Sequence, residues 1–476
     1  MTSPATAPAP GADGGYHIAK VVQLAVVAAL GGFLFGFDTS VINGAVDPLA
    51  EEFNLGSGMT GFTVSSALLG CMAGAYLAGR LADRIGRIRV MVLASGFFTI
   101  SAIGSGLAFG AWDMIFWRVL GGLGVGAASV IAPAYIAEIS PAPIRGRMGS
   151  LQQLAIVIGI FVALLSDFAL AAAAGGAAEE LWFGLAAWRW MFIAEAIPAV
   201  AYGVLALTIP ESPRFLIRQG DERTAREVLS EVLTTGIDTR IKEIKRTIAA
   251  DRRSSFADLK KPGGGLLPIV WIGVALSVFQ QFVGINVIFY YSTTLWQAVG
   301  ISEDEALQRT VITSVTNIVV TVVAIALIDK IGRRLLLLIG SAGMTVSLGV
   351  MAWVFSQADI VVNSAGESVP VLSDSAAMTA LVAANAFVVF FGASWGPAVW
   401  VLLGEMFNNT IRSLAIGIAA AAQWLANFAI STSFPSMADI GLWFAYGFYT
   451  FFALLSFFFV MRFVPETKGK ELEDMQ

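Results

Sequence analysis

Twelve stretches of mostly apolar residues run through this sequence, and their length restricts its fold more than any other property. About 20 apolar residues in a helix cross the hydrocarbon core of a bilayer, where an open sheet or loop would leave backbone groups without hydrogen bonds. Hydrophobic residues make up 57% of the chain and charged residues 13%, whereas a soluble domain carries about 25% charged residues. The sequence therefore predicts an all-α membrane protein with twelve transmembrane helices.

The connections between the apolar stretches are sorted by charge. Basic residues such as Arg80, Arg84 and Arg147 follow even-numbered stretches, whereas the other connections carry acids such as Glu51 and Glu303. Because loops rich in lysine and arginine remain in the cytoplasm, the pattern predicts that both termini are cytoplasmic and that the protein is integral to the cell (inner) membrane.

Polar segments divide the chain into parts. Residues 1–17 are rich in Pro, Ala and Gly, lack the basic and apolar regions of a signal peptide, and are predicted to be a disordered tail. Hydrophobicity falls again over 211–265, which is predicted to be a cytoplasmic helical linker. Residues 18–210 and 266–464 are then predicted to form one six-helix bundle each, and 465–476 a short cytoplasmic tail.

The two halves repeat each other in order. The repeated elements are Asp83-Arg84-Ile85-Gly86-Arg87 and Asp329-Lys330-Ile331-Gly332-Arg333, Glu138-x6-Arg145 and Glu405-x6-Arg412, and Pro210-Glu211-Ser212 and Pro465-Glu466-Thr467. Internal duplication of a six-helix unit is typical of transporters in which two bundles move around a site near the middle of the bilayer.

One apolar stretch contains an unusual number of amides. Gln280, Gln281 and Asn286 lie inside the seventh stretch, followed by Tyr290. In a continuous helix positions 281, 285 and 288 share a face, so these polar groups gather on one side and must face a cavity or another helix. Amides and a phenol without formal charge suit a neutral polyhydroxy ligand, although the same groups could simply join helices.

Few residues remain for chemistry inside the membrane. Cys71 is the only cysteine and His17, in the tail, is the only histidine, which excludes an internal disulfide and a cysteine-based metal site. Proton chemistry in the membrane must therefore use carboxylates. Asp38 lies deep in the first stretch and is expected to pair or titrate, whereas Asp167, in the outer part of the fifth, is expected at a solvated mouth.

Four signatures make the chain similar to a known family. They are Gly79-x3-Asp83-x2-Gly86-Arg87, Pro210-Glu211-Ser212-Pro213-Arg214, Gln280-Gln281-x2-Gly284-x-Asn286 and Pro465-Glu466-Thr467-Lys468-Gly469. With these motifs the chain resembles the sugar porters of the major facilitator superfamily, and especially bacterial proton-coupled xylose and glucose symporters. The resemblance implies a sugar carrier that works by alternating access.

The resemblance also implies a sugar site drawn from several helices. Its members would be Gln153, Gln280, Gln281, Asn286, Tyr290, Asn317, Trp400 and Gln423, with Phe35 and Trp424 as nearby aromatic residues. Each sugar hydroxyl needs a donor and an acceptor, and an aromatic face packs on the C–H face of a ring. The absence of formal charge in this set argues against acids, amines and phosphates as substrates.

For proton coupling, the resemblance implies that Asp38 pairs with Arg118, with Glu195 as a third member. Protonation of Asp38 would release Arg118 and let the loaded carrier proceed. The alternative is that Asp38 and Arg118 form a permanent structural pair.

A set of charged residues at the cytoplasmic ends of the helices resembles the intracellular latch of the family. The latch would pair across the bundles when the outside is open and separate when the inside opens; anchoring by positive charge is the alternative. Its members would be Asp83, Arg87, Glu138, Arg145, Glu211, Arg214, Asp329, Arg333, Glu405, Arg412 and Glu466.

These features predict a monosaccharide:proton symporter that is not an enzyme, needs no cofactor or metal, binds no nucleic acid and functions as a monomer in the bilayer. Ile160 stands where xylose symporters of the family tend to have a second glutamine, which favours a hexose, glucose above all. The alternatives are a passive sugar facilitator, a xylose or inositol symporter, and a non-transporting sugar sensor.

Overall fold

The computed structural model describes residues 15–250, 256–261, 264–362, 368–407 and 411–466. Within them, 12 helical segments are long and apolar enough to cross a membrane. The predicted all-α membrane fold with twelve spans is confirmed.

The helices before the linker form the N bundle. They are α1 (Ile18–Ser40), α2 (Val46–Glu52), α3 (Ser57–Ile85), α4 (Arg87–Gly106), α5 (Ala111–Ile139), α6 (Arg145–Ala174), α7 (Ala187–Ala194) and α8 (Ala196–Ala206). A 3-10 segment, Val41–Ala45, joins α1 to α2 within the first span. The short strands β1 (Glu180–Trp182) and β2 (Leu185–Ala186) form an antiparallel hairpin between the fifth and sixth spans.

The helices of the linker are α9 (Pro213–Arg218), α10 (Glu222–Val232) and α11 (Ile237–Ala250). Asp221 caps α10 by accepting a hydrogen bond from the Thr224 N–H at 3.1 Å. The hydrogen bonds from Thr224 lower the pKa of the Asp221 carboxyl below its usual value. The chain before α1 pairs with the end of α10, since the His17 N–H donates to the Val232 carbonyl at 2.9 Å.

The helices after the linker form the C bundle. They are α12 (Pro268–Phe282), α13 (Ile285–Tyr290), α14 (Ser292–Gln297), α15 (Glu303–Ile331), α16 (Arg333–Ser356), α17 (Asp374–Phe390), α18 (Gly396–Met406), α19 (Arg412–Ile440) and α20 (Leu442–Phe463). A π-helical turn, Phe391–Trp395, joins α17 to α18. Strands β3 (Asp359–Val362) and β4 (Ser368–Val371) pair antiparallel, with Asp359 opposite Val371.

The two bundles meet along two pairs of helices, α3 with α19 and α6 with α15. The end of the molecule that carries the linker, Arg87 and Arg333 is named the arginine-rich end, and the opposite end, with Asp47 and Glu303, the acid-rich end. The predicted sugar-binding side chains come from helices of both bundles, whereas the predicted latch residues lie at the arginine-rich end.

Candidate functional site

The seventh span is broken in its middle, where the sequence predicted a continuous helix. α12 ends at Phe282, Gly284 has φ 83° and ψ 20°, and α13 begins at Ile285. A positive φ favours glycine, and a Cβ at Gly284 would lie 2.7 Å from the ring of Tyr449. Both the backbone and the packing therefore require glycine at this break.

The break changes which polar groups meet. The predicted face at 281, 285 and 288 is wrong, because the chain changes direction between its members, and Ile285 and Ile288 are buried. Instead Asn286 donates to the Gln281 amide oxygen at 2.5 Å, so the two amides face each other across the break. Gln281 is 7% exposed and Asn286 is half-buried.

The two polar atoms of the Gln280 side chain have different surroundings. Its amide nitrogen donates to the carbonyls of Trp395 at 2.9 Å and Gly396 at 3.3 Å. These carbonyls lie where the π-helical turn and Pro397 interrupt the tenth span, so the amide ties two irregular helices together. Among the described residues the Gln280 amide oxygen has no hydrogen-bond partner. The amide nitrogen thus joins helices, which is the alternative role considered for these amides, and the amide oxygen is left as a buried acceptor.

The remaining predicted sugar-binding residues come from five other spans and from the end of the seventh. Gln153, Asn317, Gln423, Trp424 and Phe35 are half-buried, Trp400 is 44% exposed, and Tyr290 is buried and hydrogen-bonded to the Asn427 side chain. The rings of Phe35 and Trp424 lie 5.9 Å apart. The two bundles therefore contact each other at an aromatic pair within the predicted sugar site.

Gln152 was missed by sequence reasoning. Its side chain is 8% exposed and packs on Gly32 of α1, and neither of its amide atoms has a partner among the described residues. Buried polar groups are almost always hydrogen-bonded to protein or water. The pair Gln152-Gln153 was a visible signal, because two adjacent amides in a membrane helix face two different directions.

Asp38, Arg118 and Glu195 meet inside the N bundle, each 2% exposed or less. Arg118 Nη1 donates to the Asp38 backbone carbonyl at 2.9 Å and lies 3.4 Å from Asp38 Oδ1. The guanidinium also lies 5.7 Å from the ring centre of Phe192. Arg118 is therefore held more closely by the backbone of α1 than by the carboxylate, and can stay in place when that carboxylate changes charge.

The Asp38 and Glu195 carboxyl groups lie close to each other beside Arg118. A hydrogen bond between two carboxyl groups needs a proton on one of them. Two ionised carboxylates facing one buried guanidinium would leave a net negative charge, whereas one shared proton makes the group neutral. The arrangement of these three side chains therefore suits a candidate proton-binding site as well as an ion pair.

Asp167 does not lie at a solvated mouth, as the sequence suggested. It is 0% exposed, and its Oδ2 accepts a hydrogen bond from the Gly44 N–H at 3.3 Å. Sequence position near the outer end of the fifth span gave no sign that the 3-10 segment Val41–Ala45 covers it.

The acid-rich end is closed by hydrogen bonds between the bundles. Asn43 donates to the Phe289 carbonyl at 3.0 Å and accepts from Thr293 at 2.5 Å. One turn further along, the Thr294 hydroxyl donates to Asp47 at 2.9 Å. The first span is thus bonded to the broken seventh span.

A second contact closes the same end. The Ser65 and Thr432 hydroxyls lie 2.6 Å apart, and α3 approaches α19 so closely that a Cβ at Gly61 would lie 2.1 Å from the Thr432 carbonyl oxygen. Glu303 of the C bundle accepts from the Ala177 N–H of the N bundle at 2.9 Å. The structure therefore has its acid-rich end shut.

At the arginine-rich end the repeated motifs build the same arrangement in each bundle. Glu211 accepts from the N–H groups of Arg87 and Ile88 at 3.0 and 3.2 Å, and Arg87 pairs with Glu138 at 2.9 Å. In the C bundle Glu466 accepts from the N–H groups of Arg333 and Arg334 at 3.1 Å each, and Arg333 pairs with Glu405 at 2.8 Å. Each motif glutamate thus caps the start of a spanning helix, where a negative charge is favourable.

The other predicted latch residues have different surroundings. Asp83 pairs with Arg218 at 2.8 Å, Arg145 donates to the Ser140 carbonyl at 3.4 Å, and the Arg214 N–H donates to the Ser212 hydroxyl at 3.2 Å. Asp329 and Arg412 lie outside the residues whose side chains are described. In this state, with the acid-rich end shut, the ion pair Arg87–Glu138 lies within the N bundle and the ion pair Arg333–Glu405 lies within the C bundle.

Glu211→Gln should destabilise the N bundle by about 1–3 kcal/mol, because an amide keeps one acceptor and turns a donor toward a backbone N–H. Thermal unfolding in detergent, followed by tryptophan fluorescence, measures the change. Glu227→Gln is the matched control, since Glu227 is 61% exposed and pairs with Arg223 within the exposed linker helix α10; a change below about 0.5 kcal/mol is expected there. Equal losses in the two variants would contradict the capping role of Glu211.

Comparison with known protein families gives a match over nearly the whole chain. A family described as "Sugar (and other) transporter" matches residues 24–476. The chain is 58% identical to a glucose transport protein of Synechocystis sp., over 96% of this chain and 97% of the relative. It is 36% identical to a D-xylose-proton symporter of Escherichia coli, over 97% of this chain and 96% of the relative.

Solved structures give the same result. The xylose transporter XylE from E. coli in a partially occluded inward open conformation has a TM-score of 0.81 at 35% identity, covering 95% of this chain and 100% of the other. Its inward open conformation has a TM-score of 0.80 at 36% identity, covering 96% and 99%.

Proposed function

This chain belongs to the sugar transporter family, the sugar porters of the major facilitator superfamily, and we propose that it carries a monosaccharide together with a proton by alternating access. One observation carries the proposal. An uncharged set of amides and aromatic rings at the boundary between the bundles lies beside two buried carboxyl groups, Asp38 and Glu195, and the buried guanidinium of Arg118. Phe35 of the sugar set and Asp38 of the proton set are three residues apart on α1, about 4.5 Å along the helix.

We infer that the sugar is a hexose, with glucose first. The glucose transport protein at 58% identity supports this choice, and so does Ile160, an apolar residue on the half-buried part of α6 near Gln153. Relatives at 36% identity or below include symporters of xylose and arabinose, so pentoses are the second candidates.

Loading takes place with the acid-rich end open. When Asn43 and Thr293 separate, the amides are exposed to the outside, and sugar hydroxyls bind Gln281 and Asn286. Asp38 takes up a proton that it shares with Glu195. The loaded group is then neutral, so the bundles can close around it without burying a net charge.

Release takes place at the arginine-rich end. Loss of the proton leaves Asp38 and Glu195 both ionised beside Arg118, a group with one net negative charge, and the empty carrier returns in this form. Because Arg118 stays hydrogen-bonded to the Asp38 backbone carbonyl, the Asp38–Arg118 ion pair reforms without rearrangement of α5.

The parts of the carrier follow from the same proposal. Residues 18–210 and 266–464 move against each other as bundles of a single functional monomer, and 211–265 links them in the cytoplasm with both termini. The latch pairs Arg87–Glu138 and Arg333–Glu405, together with Glu211 and Glu466, hold the helix ends that separate when the arginine-rich end opens. The concentration of basic residues at that end supports this orientation.

The direct test is uptake into liposomes of labelled glucose, xylose and inositol, with and without an imposed proton gradient. Accumulation of glucose only with the gradient is expected. Equal entry with and without the gradient would instead identify a passive facilitator, and the absence of flux for all three sugars, in protein that still binds one of them, would identify a sensor.

Gln281→Leu should raise the KM for sugar about 10- to 100-fold, because removal of one amide from a buried hydrogen-bonding site costs about 1–3 kcal/mol. Counterflow of labelled glucose at several concentrations measures KM without a proton gradient. Gln219→Leu is the matched control, as Gln219 is exposed at the end of α9. An unchanged KM in Gln281→Leu would remove this amide from the sugar site.

A further inference from the structure

Asp167 is a buried carboxyl without a cation. It is 0% exposed, its Oδ2 has the Gly44 N–H at 3.3 Å, and its Oδ1 has no hydrogen-bond partner among the described residues. A carboxylate in such surroundings is costly unless it is paired or well hydrogen-bonded. One long backbone hydrogen bond does not compensate a full charge, whereas a protonated carboxyl needs much less.

The charged groups on the elements around Asp167 are engaged elsewhere. On α7, Arg189 contacts Glu52 and the carbonyls of Gly106 and Ala108, and Glu195, just after α7, lies beside Asp38. On α2, Asp47 accepts from Thr294, and on α15, Glu303 accepts from Ala177 and Arg309 pairs with Glu305. On α5, Arg118 donates to Asp38 and Asp113 accepts from the Phe109 N–H. The described side chains therefore give Asp167 no opposite charge in this state.

The element that covers Asp167 is also half of the closed outer contact. All five residues of the 3-10 segment Val41–Ala45 are buried. Within it Gly44 lies against Asp167, since a Cβ at Gly44 would be 2.9 Å from the Asp167 Cβ. The neighbouring residue, Asn43, holds the C bundle through Phe289 and Thr293. One turn of helix thus separates Asp167 from the interface that must open to the outside.

We infer that Asp167 is a second proton-binding site, distinct from Asp38 and Glu195, which is protonated when the acid-rich end closes and releases its proton when that end opens. This inference rests on the proposed alternating access. Opening frees the outer face of Val41–Ala45 and lets water reach the carboxyl, which can then ionise. The proton enters from and returns to the same side, so it regulates closure without being transported.

The sign of the pH effect follows. The closed state holds one proton more than the open state, so acid on the acid-rich side favours closure and alkali favours opening. At pH values at which Asp167 is ionised in the open state but still protonated in the closed state, the ratio of open to closed molecules should rise up to about tenfold per pH unit. Asp38 also titrates, and its contribution is removed by using Asp38→Asn as the background.

The test measures the distance between the bundles at the acid-rich end. Spin labels on Phe183→Cys and Ser375→Cys, both exposed and on different bundles, are placed in a Cys71→Ala, Asp38→Asn protein without sugar. Pulsed electron paramagnetic resonance between pH 5 and 9 measures the distance between the two labels, and the distribution of distances gives the fraction of open molecules. We expect the open fraction to rise with pH in this background and to rise much less steeply with pH when Asp167→Asn is added.

The controls separate Asp167 from other carboxyls. Asp167→Ser provides a second variant without a titratable group, and Asp113→Asn removes a less buried carboxyl of the same end and should keep the pH dependence. The inference is overturned if the Asp38→Asn background shows no pH dependence, or if Asp167→Asn leaves it unchanged.

A transport measurement distinguishes this site from the proposed coupling site. With Asp38 intact, Asp167→Asn should accumulate sugar to the same final ratio as the parent protein, because its proton does not cross the membrane. Loss of accumulation in Asp167→Asn would overturn the regulatory role. Failure of the parent protein to accumulate sugar would contradict the proposed symport and leave the distance measurement as an independent result.

Discussion

Asp38→Asn should abolish sugar accumulation while leaving sugar exchange nearly intact. A membrane potential of 100 mV supplies about 2.3 kcal/mol per transported proton, which is enough for about 50-fold accumulation. Without a carboxyl at position 38 the carrier transports sugar without a proton. The final ratio of inside to outside sugar should therefore fall to about one. Proteoliposomes with an imposed potential and labelled glucose measure this ratio.

The structure explains why this variant should still fold and bind sugar. Arg118 is bonded to the backbone carbonyl at position 38, at 2.9 Å, and that bond does not depend on the side chain. Glu195 remains as a counter-charge for the buried guanidinium, so no unpaired charge is created. Counterflow, which exchanges labelled for unlabelled sugar without net proton movement, should therefore stay within about threefold of the parent rate, a barrier change below about 0.7 kcal/mol.

The control and the contradicting result are both simple. Asp113→Asn removes a carboxyl whose visible bond is to the Phe109 N–H at the start of α5, and it should accumulate sugar normally. If Asp38→Asn still accumulated sugar to the parent ratio, the coupling proton would have to be carried elsewhere. Asp38 and Arg118 would then be the permanent structural pair that the sequence left open.

The general architecture could be predicted because the bilayer allows few solutions. Apolar length and sorted charges define the twelve spans, and the repeated motifs identify two related bundles. The structure also explains why the motifs repeat in the same order. Glu211 accepts a hydrogen bond from the Arg87 N–H at the start of α4, and Glu466 accepts one from the Arg333 N–H at the start of α16. Each bundle therefore uses both members of the motif pair.

The break in the seventh span could not be predicted from periodicity alone. The residues on both sides of Gly284 are apolar or amide-bearing, and a single glycine inside a helical pattern is usually tolerated. At the break the ring of Tyr449, which lies far along the chain, occupies the place of a side chain at Gly284. Sequence spacing therefore grouped Gln281 with Ile285, whereas the fold pairs it with Asn286.

The surroundings of single buried polar residues could not be predicted from the sequence either. Asp167 was expected in water because it lies near the end of a span, but the 3-10 segment folds over it. Gln280 was expected to bind sugar or join helices; its amide nitrogen joins helices, and sugar binding through its oxygen stays a prediction. Such outcomes depend on which backbone from another helix lies beside the residue, and hydrophobic periodicity carries no information on that.

Gly61→Trp should stop every mode of transport by keeping the acid-rich end open. In the closed state the first side-chain carbon at this position would lie 2.1 Å from the Thr432 carbonyl oxygen, well inside contact distance, and the two residues belong to the long helices α3 and α19. A penalty of only about 2.8 kcal/mol against closure would already reduce the closed population about 100-fold. Counterflow should fall at least by that factor.

Sugar binding distinguishes a Gly61→Trp protein that is folded but cannot close from one that is unfolded. Because the amides of the sugar site remain accessible from the outside, Gly61→Trp should still bind sugar in detergent with an affinity near that of the parent protein. The spin-label pair on Phe183→Cys and Ser375→Cys should report the longer distance at all pH values between 5 and 9, because the steric block does not titrate.

Gly58→Trp is the matched control, since Gly58 lies about one turn earlier on α3 and a Cβ there has nothing within 4 Å. It adds the same side chain to the same helix, and it should transport sugar at close to the parent rate. Equal transport by Gly61→Trp would mean that α3 and α19 need not meet at Thr432 during the cycle. The closed acid-rich end would then not be an obligatory state of the carrier, because a helix contact this close leaves no room for an indole.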